Sequence, residues 1–197
     1  MRTLSEPGRG LKPPPMILMT DPIRRPDPLS DVRSLSRGCV VIFRHYGHPH
    51  RTELARKLVS VCAERRLFLL IAGDAALARS VGADGVHLPE WMVWRNPAAW
   101  RLARPPAWFV TASAHGPAAL HRAHRIGADA AILSPVFPTA SHPGARTLGP
   151  YRFSAWRHSV PLPVYALGGI TPVTAKRLKA AGAAGLAGVT PGNGFNR

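Results

Sequence analysis

The sequence predicts an α/β chain folded as a small (β/α)8 barrel. Three observations carry that expectation. Eight short apolar runs are separated by helical or Pro/Gly-rich segments. Runs of this length, alternating with helices, suit a parallel sheet wound by right-handed crossovers. One run, Val164–Leu167, leads directly into Gly168-Gly169 and then Thr171-Pro172, a strand-to-helix turn. Such turns gather at the C-terminal ends of barrel strands, where barrel sites form.

In chain order, the predicted strands are Met16–Thr20, Cys39–Phe43, Leu67–Ile71, Gly85–Leu88, Trp108–Thr111, Ala130–Leu133, Val164–Leu167 and Gly185–Val189. His50–Arg66 carries Leu54, Leu58 and Val61 at helical spacing, and Asp74–Val81 is alanine-rich. Pro117–Ile126 also has helix composition. Thr171–Ala181 adds a capping threonine and a proline at the first helical position. Pro22, Pro26 and Pro28 read as a stiff loop after the first strand, placing Arg24 and Arg25 at the site end, where they can meet a second phosphate. Trp91, Trp94 and Trp100 read as packing beneath a basic surface or as a subunit contact. After the eighth run only PGNGFNR follows, so the last outer helix is expected to be missing, with either a partner subunit, such as a second copy of the chain, covering the gap or a less stable barrel.

Residues 1–15 read as a disordered extension and 16–197 as one barrel domain. No run of about 20 apolar residues is present, so no membrane span is expected. The N-terminus lacks the apolar core of a secretory signal. Cys39 and Cys62 lack metal spacing and read as buried thiols, in keeping with a cytoplasmic protein. The charge is +16, and only Lys12, Lys57, Lys176 and Lys179 of its cations are lysines. A basic surface attracts phosphorylated ligands or nucleic acid. The arginines are dispersed, with no basic run and no aromatic-interleaved motif, which favours a small phosphorylated ligand over nucleic acid.

The strongest local signal is PVYALGGIT. Paired glycines after a strand let N–H groups approach an anion, and the following helix N-terminus adds positive potential. A tight turn without a ligand is the plainer alternative.

MILMTDP, GADGVHLPE, Ser113-Ala114-His115, GADAAILSPVFPT, YALGGITP and GAAGLAGVT together resemble the thiamine phosphate synthase family, which includes TenI-type thiazole tautomerases. The order and spacing hold from about Met16 to Thr190. The resemblance implies a (β/α)8 barrel in thiamine biosynthesis. The synthase joins a pyrimidine methyl diphosphate to a thiazole phosphate, with Mg²⁺ held by two aspartates.

Carried over by motif, Thr139 and Ser141 match residues that contact the thiazole ligand. Gly168, Gly169, Val189 and Thr190 match the phosphate-closing segments. Ser113 matches a serine on the pyrimidine substrate, and Arg44 matches the arginine after the second strand. Elsewhere the motif is broken. The metal aspartates fall at Gly73, within Ala72-Gly73, and at Met92, and expected lysines fall at Tyr46 and His142. No metal site is therefore expected, with Asp74 and Glu90 as the nearest replacement ligands if Mg²⁺ is used.

The losses resemble the TenI-like branch, whose chemistry needs a base near neutral pKa. The histidine used in one such lineage falls at Pro135 here. His115 and His142 are the catalytic candidates, ahead of His45 and His87. Three functions follow from these residues. One is a TenI-like protein binding thiazole phosphate without a metal. Another is a divergent Mg²⁺-dependent synthase. The last is a non-enzymatic ligand sensor or basic nucleic-acid binder.

Overall fold

The computed structural model describes residues 14–94, 104–139, 144 and 146–191. Residues 1–13 of the expected extension 1–15, and the Trp100, Ser141 and His142 positions, lie outside the described residues. Eight parallel strands form a closed barrel in sequential order. They are β1 (Met16–Met19), β2 (Val40–Phe43), β3 (Phe68–Ala72), β4 (Gly85–Leu88), β5 (Phe109–Ala114), β6 (Ala130–Leu133), β7 (Val164–Leu167) and β8 (Gly185–Gly188). The ring is completed where Met16, Ile17 and Leu18 of β1 register with Leu186, Ala187 and Gly188 of β8.

Alternation along each strand builds two apolar layers. Ile17, Val40, Ile42, Leu70, Ile132 and Tyr165 fill the interior. Leu18, Val41, Leu69, Val86, Val110 and Val164 face the helices. Tyr165 is fully buried, and its hydroxyl donates to the Pro14 carbonyl at 2.8 Å, which ties the segment before β1 to the barrel.

The helices are α1 (Pro28–Arg33), α2 (Arg51–Arg65), α3 (Ala75–Val81), α4 (Glu90–Val93), α5 (Pro117–Arg125), α6 (Gly149–His158) and α7 (Pro172–Ala180). Pro22 and Pro26 lie in the loop expected after β1, and the correction is confined to Pro28, which opens α1. Asp27 caps α1 by accepting from the Leu29 and Ser30 N–H groups, and Pro28 occupies its first turn. The α4 and α6 helices were also hidden in sequence: α4 is one turn, and α6 opens on Gly149-Pro150 without a side-chain cap.

Among the described residues no helix follows β8, whose Gly185, Leu186 and Gly188 are half-buried. The sheet nevertheless closes, so the expected opening on that side is confined to the helical layer. No helix among the described residues is long and apolar enough to cross a membrane.

Candidate active site

The ends of β1 and β2 are tied together at the C-terminal face. The Arg44 N–H donates to Thr20 Oγ1 at 2.9 Å, and Arg44 Nε donates to the Thr20 carbonyl at 2.9 Å. The Thr20 hydroxyl also lies 3.0 Å from His45 Nδ1. His45 is buried and stacked on Phe43, and burial lowers its pKa below the ordinary value. It is therefore a packed residue of the β2 end, not an exposed base.

Asp21 anchors two arginines. Its Oδ2 lies 3.9 Å from both Arg24 Nε and Arg44 Nη2. Burial pushes its carboxyl up, but the Arg24 and Ile23 N–H groups and the charges of Arg44 and Arg24 outweigh this and leave it below the usual range. Arg25 turns elsewhere, to the buried Asp31 at 2.5 Å. Of the two arginines expected at the site, Arg24 alone reaches it.

On the opposite side, the β6 and β7 loops are laced together. Val136 N–H donates to Leu167 O at 2.9 Å and Phe137 N–H to Gly168 O at 3.1 Å. Gly168 and Gly169 adopt φ of +104° and +61°. A Cβ on Gly169 would stand 2.2 Å from Pro138 O, so loop packing itself demands glycine there. Thr171 then caps α7 in a reciprocal box with Thr174, leaving the helix N-terminus directed at the same end of the barrel.

These segments enclose one cleft of about 320 Å³, lined by Asp21, Arg24, Arg44 and Thr139 together with Gly168, Gly169, Val189 and Thr190. Six of the ten candidate positions thus converge. Ser134 and Pro135 add a wall from the β6 end.

Ser113 and His115 lie apart from that lining. Ser113 Oγ is 2.9 Å from His87 Nε2, and His87 Nδ1 is 2.9 Å from Thr111 Oγ1. His87 is therefore an interior residue rather than a loop base. Burial, with a smaller contribution from the Arg44 charge, lowers its pKa to about 3, so it is neutral. One ring nitrogen donates and the other accepts, which fixes both hydroxyls. His115 stands on the exposed rim. Its backbone N–H donates to Glu90 Oε2 at 2.8 Å, and its Nδ1 is 2.5 Å from the same oxygen. Nothing in the sequence pattern pairs these two residues; α4 brings Glu90 under the end of β5.

The positions of the family's metal aspartates do not fit Mg²⁺. A Cβ at Gly73 would meet Tyr46 Cε1 at 3.3 Å, with Met92 Sδ and Pro89 Cγ each at 3.8 Å. The two positions that the resemblance assigns to metal aspartates, and one that it assigns to a lysine, thus form a mostly apolar cluster, where a hard cation finds no oxygen ligand. Asp74 is engaged elsewhere. It caps α3 by accepting from Leu77 N–H at 2.8 Å and pairs with Arg51 Nη1 at 3.1 Å. Arg51 Nη2 also donates to the Ala72 carbonyl at 2.8 Å, so a guanidinium fills the end of β3. Glu90 is held by His115. Among the described residues no group of three His, Cys, Asp or Glu side chains is placed to hold a metal.

On the outer rim, Trp91 and Trp94 are partly exposed, and the Arg122 guanidinium stacks 4.0 Å over the Trp94 ring, a cation on an indole as the expected packing beneath a basic surface implies.

A family model described as thiamine monophosphate synthase matches residues 30–191. A putative thiamine-phosphate synthase 2 of Aquifex aeolicus is 37% identical over 138 residues, covering 70% of this chain and 73% of the relative. The thiamine-phosphate synthase of Salinibacter ruber is 34% identical over 145 residues, covering 73% of this chain and 63% of the relative. In three dimensions the chain resembles a thiamine phosphate pyrophosphorylase from Pyrococcus furiosus, with a TM-score of 0.76 at 24% identity over 93% of this chain and 91% of that one. With the barrel, the cleft and these matches in hand, the chain belongs to the thiamine monophosphate synthase family.

Proposed function

We propose that this chain binds a thiazole phosphate in the cleft between β1–β2 and β6–β8, and that it works without Mg²⁺, as TenI-like members of the family do. The carrying observation is the filling of the metal positions by Gly73, Met92, Tyr46 and Pro89. Both nearby carboxylates are committed, Asp74 to Arg51 and Glu90 to His115. Phosphate binding rests on the surviving half of the motif. Thr139 and Thr190 supply hydroxyls, and the Gly168-Gly169 turn leads into the N-terminus of α7.

His115 and His142 stand as the candidate bases; His115 lies on the rim beside the cleft, and His142 lies outside the described residues. In the tautomer that donates from Nδ1 to Glu90, Nε2 is the His115 ring nitrogen left to take a proton. Removing a proton from the thiazole ring system and returning it at another position isomerises the ligand with no change in composition. Ser113, held by His87, is a fixed polar group on the β5 side of the barrel mouth.

The synthase alternative draws support from the names of the relatives and from the presence of Arg44. It requires Asp74 or Glu90 to leave its present partner and ligate Mg²⁺. Calorimetric titration separates the two. Binding of thiazole phosphate, together with no Mg²⁺-dependent binding of the pyrimidine methyl diphosphate, is expected. Mg²⁺-dependent binding of the diphosphate that is lost in Asp74→Asn or Glu90→Gln would establish the synthase instead.

A further inference from the structure

We infer that the outer flank formed by α5, α6 and α7 is a docking surface for the phosphate backbone of a nucleic-acid duplex. The surface lies outside the cleft and does not depend on which reaction the cleft performs.

Charge is divided unevenly along the chain. Asp129 is the one carboxylate after Glu90, although twelve of the 26 lysines and arginines lie in that stretch. Such asymmetry between two halves of a chain points to a polyanionic partner. These cations are dispersed in sequence, and the fold gathers them. Strands β5 to β8 pair in sequential order, so the helices that connect them stand side by side on one flank. At the end of α6, Arg157 Nε donates to the Gly182 carbonyl just beyond α7 at 2.8 Å, which sets the two helix ends against each other. Arg125, Arg152, Lys176, Arg177 and Lys179 are exposed on these helices, and none of the three carries an Asp or Glu. Asp129 is itself taken by Arg104, at 2.9 and 2.8 Å from its two oxygens.

Helix dipoles explain part of this pattern, because a cation in the last turn stabilises a helix C-terminus. The α2 helix ends on Arg65 for the same reason. It also carries Glu53 and Glu64, and Glu53 pairs with Lys57 at 2.7 Å. An ordinary solvated face intersperses both signs in this way. The α5–α7 flank carries one sign alone, so its cations repel one another until anions neutralise them.

The rest of the flank selects among polyanions. A bilayer surface is met by large apolar side chains set beside the cations. Here the exposed ones, Tyr151 and Val173, sit in the first turns of α6 and α7, away from the last-turn cations. A single strand is held on several stacked aromatics, and Tyr151 is the one fully exposed aromatic of these helices. A second copy of the chain would bring like charge against like. A duplex presents dense phosphate charge that cations fixed on helices neutralise without reading bases.

The test is fluorescence anisotropy of a labelled, mixed-sequence DNA duplex of about 20 bp with the full chain, over a series of chloride concentrations. Five phosphate contacts give a slope of about −4 in log Kobs against log salt, a loss on the order of 10²-fold between about 50 and 200 mM. Combining Lys176→Gln with Lys179→Gln is expected to weaken binding and bring the slope to about −3. Combining Arg33→Gln with Arg37→Gln removes the same charge from exposed positions on and just after α1, and is expected to leave the slope unchanged. Equal losses in the two double variants would assign binding to net charge and overturn the flank. Absence of binding at the lowest salt would overturn it as well. A single strand bound as tightly as the duplex would overturn the duplex assignment. Tighter, Lys176- and Lys179-dependent binding to phosphatidylglycerol-containing vesicles would overturn the nucleic-acid partner in favour of a membrane surface.

Discussion

His87 shows how far an individual side chain departs from what its sequence neighbourhood suggests. His87 falls near the C-terminal end of a predicted strand, Gly85–Leu88, where a histidine reads as a candidate base facing the site. Strand parity instead turns it inward, between Thr111 and Ser113 on β5. There it has lost its water, and its pKa falls to about 3. A histidine depressed in the folded state contributes stability that is fully present above the unfolded value near 6.5 and is lost as pH falls toward the folded value. Between those values the unfolded chain binds one more proton at this site. From pH 7.5 to pH 5 the loss from His87 alone comes to about 2 kcal/mol. The buried His45, also depressed, acts in the same direction. Urea denaturation at the two pH values measures this. His87→Gln is expected to lower stability at pH 7.5 yet flatten the pH dependence. An unchanged slope in that variant would mean the acid sensitivity resides elsewhere.

At the scale of elements, the eight strands and four of the seven described helices were legible in the sequence. Apolar run length and helical spacing are local signals. The α1 helix was not legible, because Pro22 and Pro26 before it and Pro28 at its first position suggest a loop until Asp27 is seen capping it. The candidate site was half legible. Glycines and hydroxyls sit in recognisable motifs, but the Glu90–His115 and Arg24–Asp21–Arg44 groupings depend on neighbouring loops meeting across the barrel mouth. The structure also reveals a repeated device at the opposite end. Asp84 N–H donates to Leu69 O at 2.9 Å while Asp84 Oδ2 accepts from Leu69 N–H at 2.8 Å. Asp129 repeats both bonds with Val110, at 2.7 Å each. A third Gly-Ala turn precedes β8, and there Ala184 N–H bonds Val164 O at 2.9 Å with no carboxylate to complete the pair. Ala184→Asp supplies it. The expected gain is about 1 kcal/mol, one net hydrogen bond, read as a raised urea midpoint at constant slope. Absence of any gain would show that the turn before β8 holds a different geometry from its two counterparts.

Over the whole molecule, a charge of +16 on 197 residues makes self-repulsion a term in stability. Screening by salt relieves it, so the melting temperature is expected to rise with chloride concentration. Phosphate adds a separate effect if the cleft binds it, because a ligand that occupies only the folded state stabilises by RT ln(1 + [L]/Kd). The two contributions separate at matched ionic strength. Phosphate is expected to raise the melting temperature above the chloride value and to approach the saturation behaviour of a single site. Its general exclusion from protein surfaces also stabilises, but that effect grows without saturating and does not depend on one residue. Gly169→Ala provides the control. Its Cβ would be driven into Pro138 O and its φ is positive, so the β7 turn must shift and the whole melting curve moves down. The chloride response should survive in the variant, because the surface charge is unchanged. The saturable phosphate increment should vanish, because the turn that presents the cleft has moved. A phosphate increment that persists in full in Gly169→Ala would place the anion elsewhere on the basic surface, and the paired glycines would then serve only to pack the β6 and β7 loops together.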